Sequence, residues 1–281
     1  MKRFFLPALA FLIWSTWVIP VRFLGYNTYT LSFYLCFFAT IIWGFVNLVL
    51  KKSFFLTKKE LFKLVILSFL FVGNMITYLL SLKITHSSIA VITHYTAPIF
   101  VALIAPLTLK ERLTKITVIS FIIAFLGFII IFYNKQVMIS FDRGALYGLA
   151  SGLFYGLSVI IARKTLKTVE SESLIFYQNL FSFLILSVFS YHIDFSFNIN
   201  MLAWLFLLAL MYSGIASFLY LYGLKKIGGI RTSIIGYFEP LGTICWGWLL
   251  FNEPLTAKIA IGGFLVLVSG YIVTRYDRIS L

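Results

Sequence analysis

The chain has 281 residues, of which 61% are hydrophobic and 11% charged, and its mean hydropathy is +1.00. A soluble domain lies nearer roughly 45–50% apolar and 25% charged, so this much apolar surface excludes a water-soluble core. The net charge of +14 invites a nucleic-acid or other anionic partner, but the basic residues follow a pattern that a membrane explains, and no nucleic acid is expected.

In chain order, the apolar residues fall into ten segments, near 4–25, 29–50, 62–83, 88–107, 116–134, 144–163, 173–192, 201–224, 230–251 and 258–275. Each is close to the ~20 residues that a helix needs to cross ~30 Å of hydrocarbon. The first begins with Met1-Lys-Arg and runs on without an Ala-x-Ala-like exit, so it reads as a retained helix, not a cleaved signal peptide. Segment 6 carries Gly144, Gly148, Gly152 and Gly156, one every four residues, which leaves one helix face bare for a close neighbour. Cys36 and Cys245 fall in mid-segment and read as small packed hydrophobes, not as a disulfide. The connections are short, the longest being Lys51–Leu61, Asn134–Arg143 and Ile193–Asn200.

With the N-terminus taken as cytoplasmic, only Arg22, Lys83, Lys135, Arg143 and Lys258 of the 23 Lys and Arg residues fall outside. This positive-inside bias predicts that both termini are cytoplasmic in a multi-pass protein of the cell membrane.

The chain also repeats itself. Tyr78-Leu-Leu-Ser-Leu-Lys83 returns as Tyr220-Leu-Tyr-Gly-Leu-Lys225, Tyr95-Thr-Ala-Pro98 as Tyr237-Phe-Glu-Pro240, and Glu111-Arg-Leu-Thr114 as Glu253-Pro-Leu-Thr256, all at an offset of 142 residues. Aligned without a gap, 78–117 and 220–259 agree at 11 of 40 positions. The predicted fold is therefore all-α integral membrane, ten transmembrane helices as two five-helix repeats, 1–137 and 138–281. Five crossings per half is an odd number, so the second repeat enters the membrane inverted, which is the arrangement of an alternating-access carrier.

Ten short-linked helices in two copies, Trp14-Ser-Thr-Trp17 in segment 1, and a Pro followed thirteen residues later by Glu-x-Leu-Thr in each half resemble the drug/metabolite transporter superfamily, specifically its EamA-type members. The resemblance implies a central cavity that holds a small organic solute: an amino acid, a related metabolite, a nucleoside, a sugar or an amphipathic drug. Many relatives carry an Arg early in segment 2, where this chain has Tyr34 and Leu35, so a carboxylate-binding role at that place does not transfer.

Glu239 is the one acidic residue in the middle of an apolar segment. An ionisable group at that depth costs at least about 2.5 kcal/mol and persists where it faces a cavity or a partner, so it is the leading substrate or coupling residue; its bland alternative is a protonated carboxyl bonded to a neighbouring helix. His94 can shuttle protons or simply bond across a helix interface. Tyr95 and Tyr237, with Trp14, Trp17 and Tyr155, are candidates for an aromatic cavity wall, which also suits a cation. Pro98 and Pro240 are expected to kink their helices and free backbone carbonyls beside the site. Arg22, Lys83, Arg163 and Lys225 are expected to snorkel at helix ends, and Glu111 and Glu253 to sit at the positive ends of the helices that follow them.

Nothing in the sequence supports enzyme chemistry: it has three histidines and no HExxH, no CxxC and no phosphate-cradling glycine loop. No catalytic group, metal or cofactor is expected. The expected partners are a small-molecule substrate, the bilayer, and a coupling proton or ion where transport is gradient-driven, in a monomer or homodimer. Efflux is the favoured direction, with metabolite or organic-cation uptake as the alternative. An intramembrane enzyme, a lipid-handling protein and a channel are the rival classes.

Overall fold

The computed structural model describes residues 2–17, 19–20, 28–52, 55–84, 87–111, 113–132, 143–193, 195, 198–251 and 255–276. All regular structure among them is helical: α1 Lys2–Ser15, α2 Thr28–Val49, α3 Lys58–Ile84, α4 Ser87–His94, α5 Ala97–Leu109, α6 Lys115–Phe132, α7 Arg143–Thr165, α8 Ser171–Ser187, α9 Ile199–Ile227, α10 Gly229–Ile235, α11 Phe238–Phe251 and α12 Ala257–Tyr276, with one 3₁₀ turn at Ser190–His192. Four stretches are long and apolar enough to cross a membrane: Tyr29–Val49, Lys58–Ser81, Arg143–Thr165 and Ile199–Ile227. Large apolar side chains such as Phe45, Leu107 and Phe264 face outward, which suits lipid and not water.

Several helices start on side-chain caps that the sequence spells out. Thr57 and Glu60 form a reciprocal capping box, Glu60 Oε2 accepting from Thr57 N at 2.9 Å and Thr57 Oγ1 from Glu60 N at 3.3 Å. The Thr that ends each Glu-x-Leu-Thr motif does the same for the helix after it: Thr114 Oγ1 accepts from Thr117 N (3.0 Å) at α6, and Thr256 Oγ1 from Ile259 N (3.4 Å) at α12.

The fourth and ninth segments are broken helices, not continuous ones. α4 stops at His94 and α5 restarts at Ala97; α10 stops at Ile235 and α11 restarts at Phe238. Pro98 and Pro240 stand just after each break, in the first turns of α5 and α11. Lacking N–H groups, they cannot bond the carbonyls of His94 and Gly236, and local turns take over. Thr96 Oγ1 bonds Thr93 O at 2.6 Å, and Glu239 N bonds Gly236 O at 3.0 Å.

The eighth segment holds a second surprise, a π-helical stretch at Ala209–Ala216 inside α9. Its carbonyls accept side chains from other helices: Trp14 Nε1 donates to Tyr212 O and Trp43 Nε1 to Ser213 O, both at 3.1 Å.

α7 packs against α3 and against both pieces of the broken α4–α5. In the other half, α1 packs against the C-terminal part of α9 and against the broken α10–α11. Exchanging the halves turns one set of pairs into the other, while α6–α12 and α2–α8 map onto themselves. The α6–α12 pair runs antiparallel: Gly127 abuts Gly262, and Ser269 Oγ donates to Ser120 O at 2.6 Å. Positions 120 and 262, and 127 and 269, are each 142 apart.

The glycine stripe of segment 6 lies against the break in segment 4. A Cβ at Gly152 would stand 2.7 Å from Thr96 Oγ1 and 2.8 Å from His94 O, and one at Gly156 would stand 2.9 Å from Phe100 Cβ. Cys36 and Cys245 are unpaired, the first buried and the second exposed.

Candidate functional site

The two breaks meet at the centre of the bundle. Tyr95 follows α4 and Tyr237 follows α10; their rings lie 6.2 Å apart, and Tyr237 Oη donates to Tyr95 O at 3.3 Å. Tyr237 is fully buried, so it ties the breaks together and offers no wall to a cavity. Tyr95 turns its hydroxyl toward Glu239, its side-chain hydrogen-bond partner in the first turn of α11.

Around this junction, Tyr78 from α3 and Tyr155 from α7 join Tyr95 within electrostatic reach of the Glu239 carboxylate. The same three tyrosines touch His94. Its ring lies 4.3 Å from that of Tyr78, 5.1 Å edge-on from that of Tyr95, and 5.7 Å from that of Tyr155 in a stacked arrangement. His94 Nδ1 lies 2.8 Å from Ser151 Oγ, which reaches Asn74 Oδ1 at 2.8 Å and Asn74 O at 3.1 Å. Glu239, His94, Tyr78 and Tyr155 are surrounded by protein, yet each keeps some water-accessible surface.

Trp14 extends the wall from α1. It lies 5.2 Å from Tyr220, whose hydroxyl shares a hydrogen bond with Tyr155. Trp17 is elsewhere, edge-on against Tyr212 at 4.8 Å beside the π-helical stretch. The structure thus brings Glu239, His94, Tyr95, Tyr155 and Trp14 together, packs the buried Tyr237 against Tyr95 at the junction, and places Trp17 away from them beside the π-helical stretch. It adds Tyr78, Tyr220, Asn74 and Ser151. Tyr78 and Tyr220 are a repeat pair at the 142-residue offset, the same signal that singles out Tyr95 and Tyr237.

Glu111 departs from its expected place. It does not serve the start of α6, which Thr114 caps, but reaches across to the first turn of α10 in the other half. Its carboxylate accepts from Gly229 N at 3.0 and 2.9 Å and from Ile230 N at 3.2 Å. Arg163 does not snorkel either: its Nε pairs with Glu111 Oε1 at 3.2 Å and its Nη1 donates to Lys225 O at 2.5 Å. Gly228 makes the approach possible, since its φ of +88° suits glycine and a Cβ there would stand 2.7 Å from Glu111 Oε1. The equivalent Glu253 and Arg22 lie outside the described residues, as does the side chain of Lys83.

Between α1, α11 and α12 lies a separate cavity of about 590 Å³, lined by apolar residues such as Leu12, Leu241, Trp246 and Phe264. It opens outward past exposed Leu12 and Phe264 and contains none of the tyrosines around Glu239. Among the described residues no group of His, Cys, Asp and Glu side chains is placed to hold a metal ion.

The uncharacterized transporter YoaV of Bacillus subtilis (strain 168) is 22% identical over 228 residues, 77% of this chain and 76% of its own length. An uncharacterized transporter of Archaeoglobus fulgidus is 27% identical over 197 residues, 67% of this chain and 68% of its own. A protein of known crystal structure, 16% identical, superposes with a TM-score of 0.82 over 98% of this chain and 99% of that one, a likeness of fold alone. The model of the EamA-like transporter family matches twice, over residues 2–133 and 142–275. The chain therefore belongs to the EamA-like transporter family, within the drug/metabolite transporter superfamily.

Proposed function

We propose that this transporter carries a small organic solute, from the range of amino acids, related metabolites and amphipathic drugs, across the cytoplasmic membrane by alternating access, in the direction of efflux. The working units are two repeats, 1–137 and 138–281, of five crossings each, inverted with respect to one another. Both termini face the cytoplasm. The solute site is the space lined by Glu239, His94, Tyr78, Tyr95, Tyr155 and Trp14.

The observation that carries this reading is the junction of two broken helices at that space. Broken helices expose backbone polar groups only where they line a cavity or are buried in protein, and carriers build their sites at such breaks between repeats. The self-exchanging set of packing pairs supports two equivalent halves. The antiparallel α6–α12 pair supports inversion: helices related by a two-fold run antiparallel when the axis is perpendicular to them, which for membrane-crossing helices means an axis in the membrane plane. The Glu111–Arg163 cluster binds α10 to the connection after α5 and to the end of α7, so one end of the bundle is closed while the halves are joined there.

Reconstitution in proteoliposomes tests the reading. Flux of a labelled solute is expected to saturate and to be stimulated by unlabelled solute on the opposite side. Flux that rises linearly with concentration, with no such counterflow, indicates a channel and overturns it.

A further inference from the structure

We infer that the space at Glu239 and His94 takes an organic cation bearing ammonium N–H donors and no free carboxylate. The inference rests on the reading of that space as the solute site, and it narrows the solute class by counting donors and acceptors.

Ser151 has one hydroxyl hydrogen, and Asn74 offers two oxygens to receive it, at 2.8 and 3.1 Å. The backbone carbonyl is an acceptor whichever way the side-chain amide is turned. With that hydrogen on an Asn74 oxygen, Ser151 Oγ accepts from His94 Nδ1–H. In the neutral ring the lone pair then belongs to Nε2. The Asn74–Ser151 pair therefore sets the tautomer of His94, and the ring presents an acceptor among Tyr78, Tyr95 and Tyr155.

The same three tyrosines lie within electrostatic reach of the Glu239 carboxylate, a second acceptor and a charge. Among the described residues, burial and the Tyr95 hydroxyl are what act on the Glu239 carboxyl, and no Lys or Arg side chain is among them. Aromatic faces complete the lining, and their negative quadrupoles attract cations. A carboxylate placed here meets a second carboxylate and leaves acceptors facing acceptors, whereas an ammonium supplies hydrogens to Glu239 and Nε2 and charge to the rings. A site built to pair a donor rejects the analogue that lacks it, because its buried acceptors are then left bare.

Four probes on one carbon frame test this with the purified protein in detergent, read by thermal shift and by intrinsic tryptophan fluorescence. They are 2-phenylethylamine, its trimethylammonium analogue, 2-phenylethanol and 3-phenylpropionate. The amine is expected to bind tightest, the quaternary ion about tenfold more weakly for want of N–H groups, the alcohol more weakly still, and the carboxylate not at all. Glu239→Gln should weaken both cations by tenfold or more, whereas His94→Phe should erase only the preference for the amine over the quaternary ion, and His94→Gln, which restores an acceptor, should recover part of it.

Binding of 3-phenylpropionate as tight as that of the amine, lost in Tyr155→Ala, overturns the cation assignment while leaving the solute site in place. Failure of the amine to bind the wild type at millimolar concentration overturns it as well. Amine binding that is indifferent to Glu239→Gln, His94→Phe and Tyr155→Ala overturns both the cation assignment and the solute site.

Discussion

Glu111 caps Gly229, 118 residues further along the chain, with both carboxylate oxygens within 3.0 Å of the one backbone amide. This contact joins the connection after α5 to the broken helix of the other half. Arg163 sits on the same carboxylate, so three parts of the bundle end on one side chain.

Glu111→Ala should therefore lower the unfolding free energy by about 2 kcal/mol, the range for hydrogen bonds to a charged group, and Glu111→Gln by less, since its amide oxygen still accepts. If the cluster also closes one end of the transport path, a cysteine at Ser233, buried in α10, should react faster with a thiol reagent in the Glu111→Gln background. Equal reactivity in the two backgrounds reduces the cluster to a structural clasp. Both effects are measured on detergent-solubilised protein.

Gly152 tests the packing of α7 against the α4–α5 break. With Thr96 Oγ1 at 2.7 Å and His94 O at 2.8 Å from its virtual Cβ, Gly152→Val must push α7 off the α4–α5 break, at a cost of about 1–3 kcal/mol. Gly214→Ala is the control, because its nearest neighbour lies 3.5 Å away in ordinary contact. Thermal stability should fall in the first and stay near wild type in the second. A Gly152→Val protein as stable as wild type contradicts the close approach.

Much of this fold is legible in the sequence, because hydropathy and repetition are properties of the chain itself. The helical segments and the bare stripe from Gly144 to Gly156 follow from composition and spacing, and the paired Pro and Glu-x-Leu-Thr motifs carry the resemblance to the family. The breaks at Tyr95 and Tyr237 are harder to read, since the apolar run continues across them and Pro98 and Pro240 fit a kink equally well. The π-helical stretch at Ala209–Ala216 leaves no compositional mark; it becomes visible only through Trp14 and Trp43, which donate to its carbonyls. Glu111 is misread locally because the adjacent helix start is an obvious partner, while its real partners are distant and Thr114 fills the local role. At the site, Tyr78 and Tyr220 carry a readable repeat signal, but Asn74 and Ser151 carry none until the fold brings them to His94.

The charge bias leads to a topological expectation. Lys58 and Arg278 should face the cytoplasm and Lys135 the outside, because only five of 23 basic residues fall on the outer side in this orientation. Cysteines at these three positions, probed with an impermeant reagent on intact cells, are the check. Labelling at 58 and 278 with protection at 135 reverses the orientation, and it would then move the Glu111–Arg163 closure to the outer face.

The last prediction concerns Glu239, whose carboxylate stands where a neutral side chain costs less. Glu239→Gln keeps size and hydrogen-bonding capacity and removes both the charge and the titration. The variant should fold, still bond Tyr95, and lose gradient-driven accumulation in proteoliposomes. Its residual activity separates two roles for the carboxylate. As the counter-charge to a cation, its loss weakens solute affinity, so exchange between equal pools on the two sides fails along with accumulation. As a carrier of the coupling proton alone, its loss leaves affinity and exchange intact and abolishes only the response to a pH gradient. One carboxylate cannot hold a proton and an ammonium at once, so in the first role proton and solute compete for it, and solute affinity in the wild type should fall as pH drops, whereas that of the Gln variant should be flat. A variant that accumulates solute as well as wild type at every pH makes Glu239 structural and removes it from the transport site.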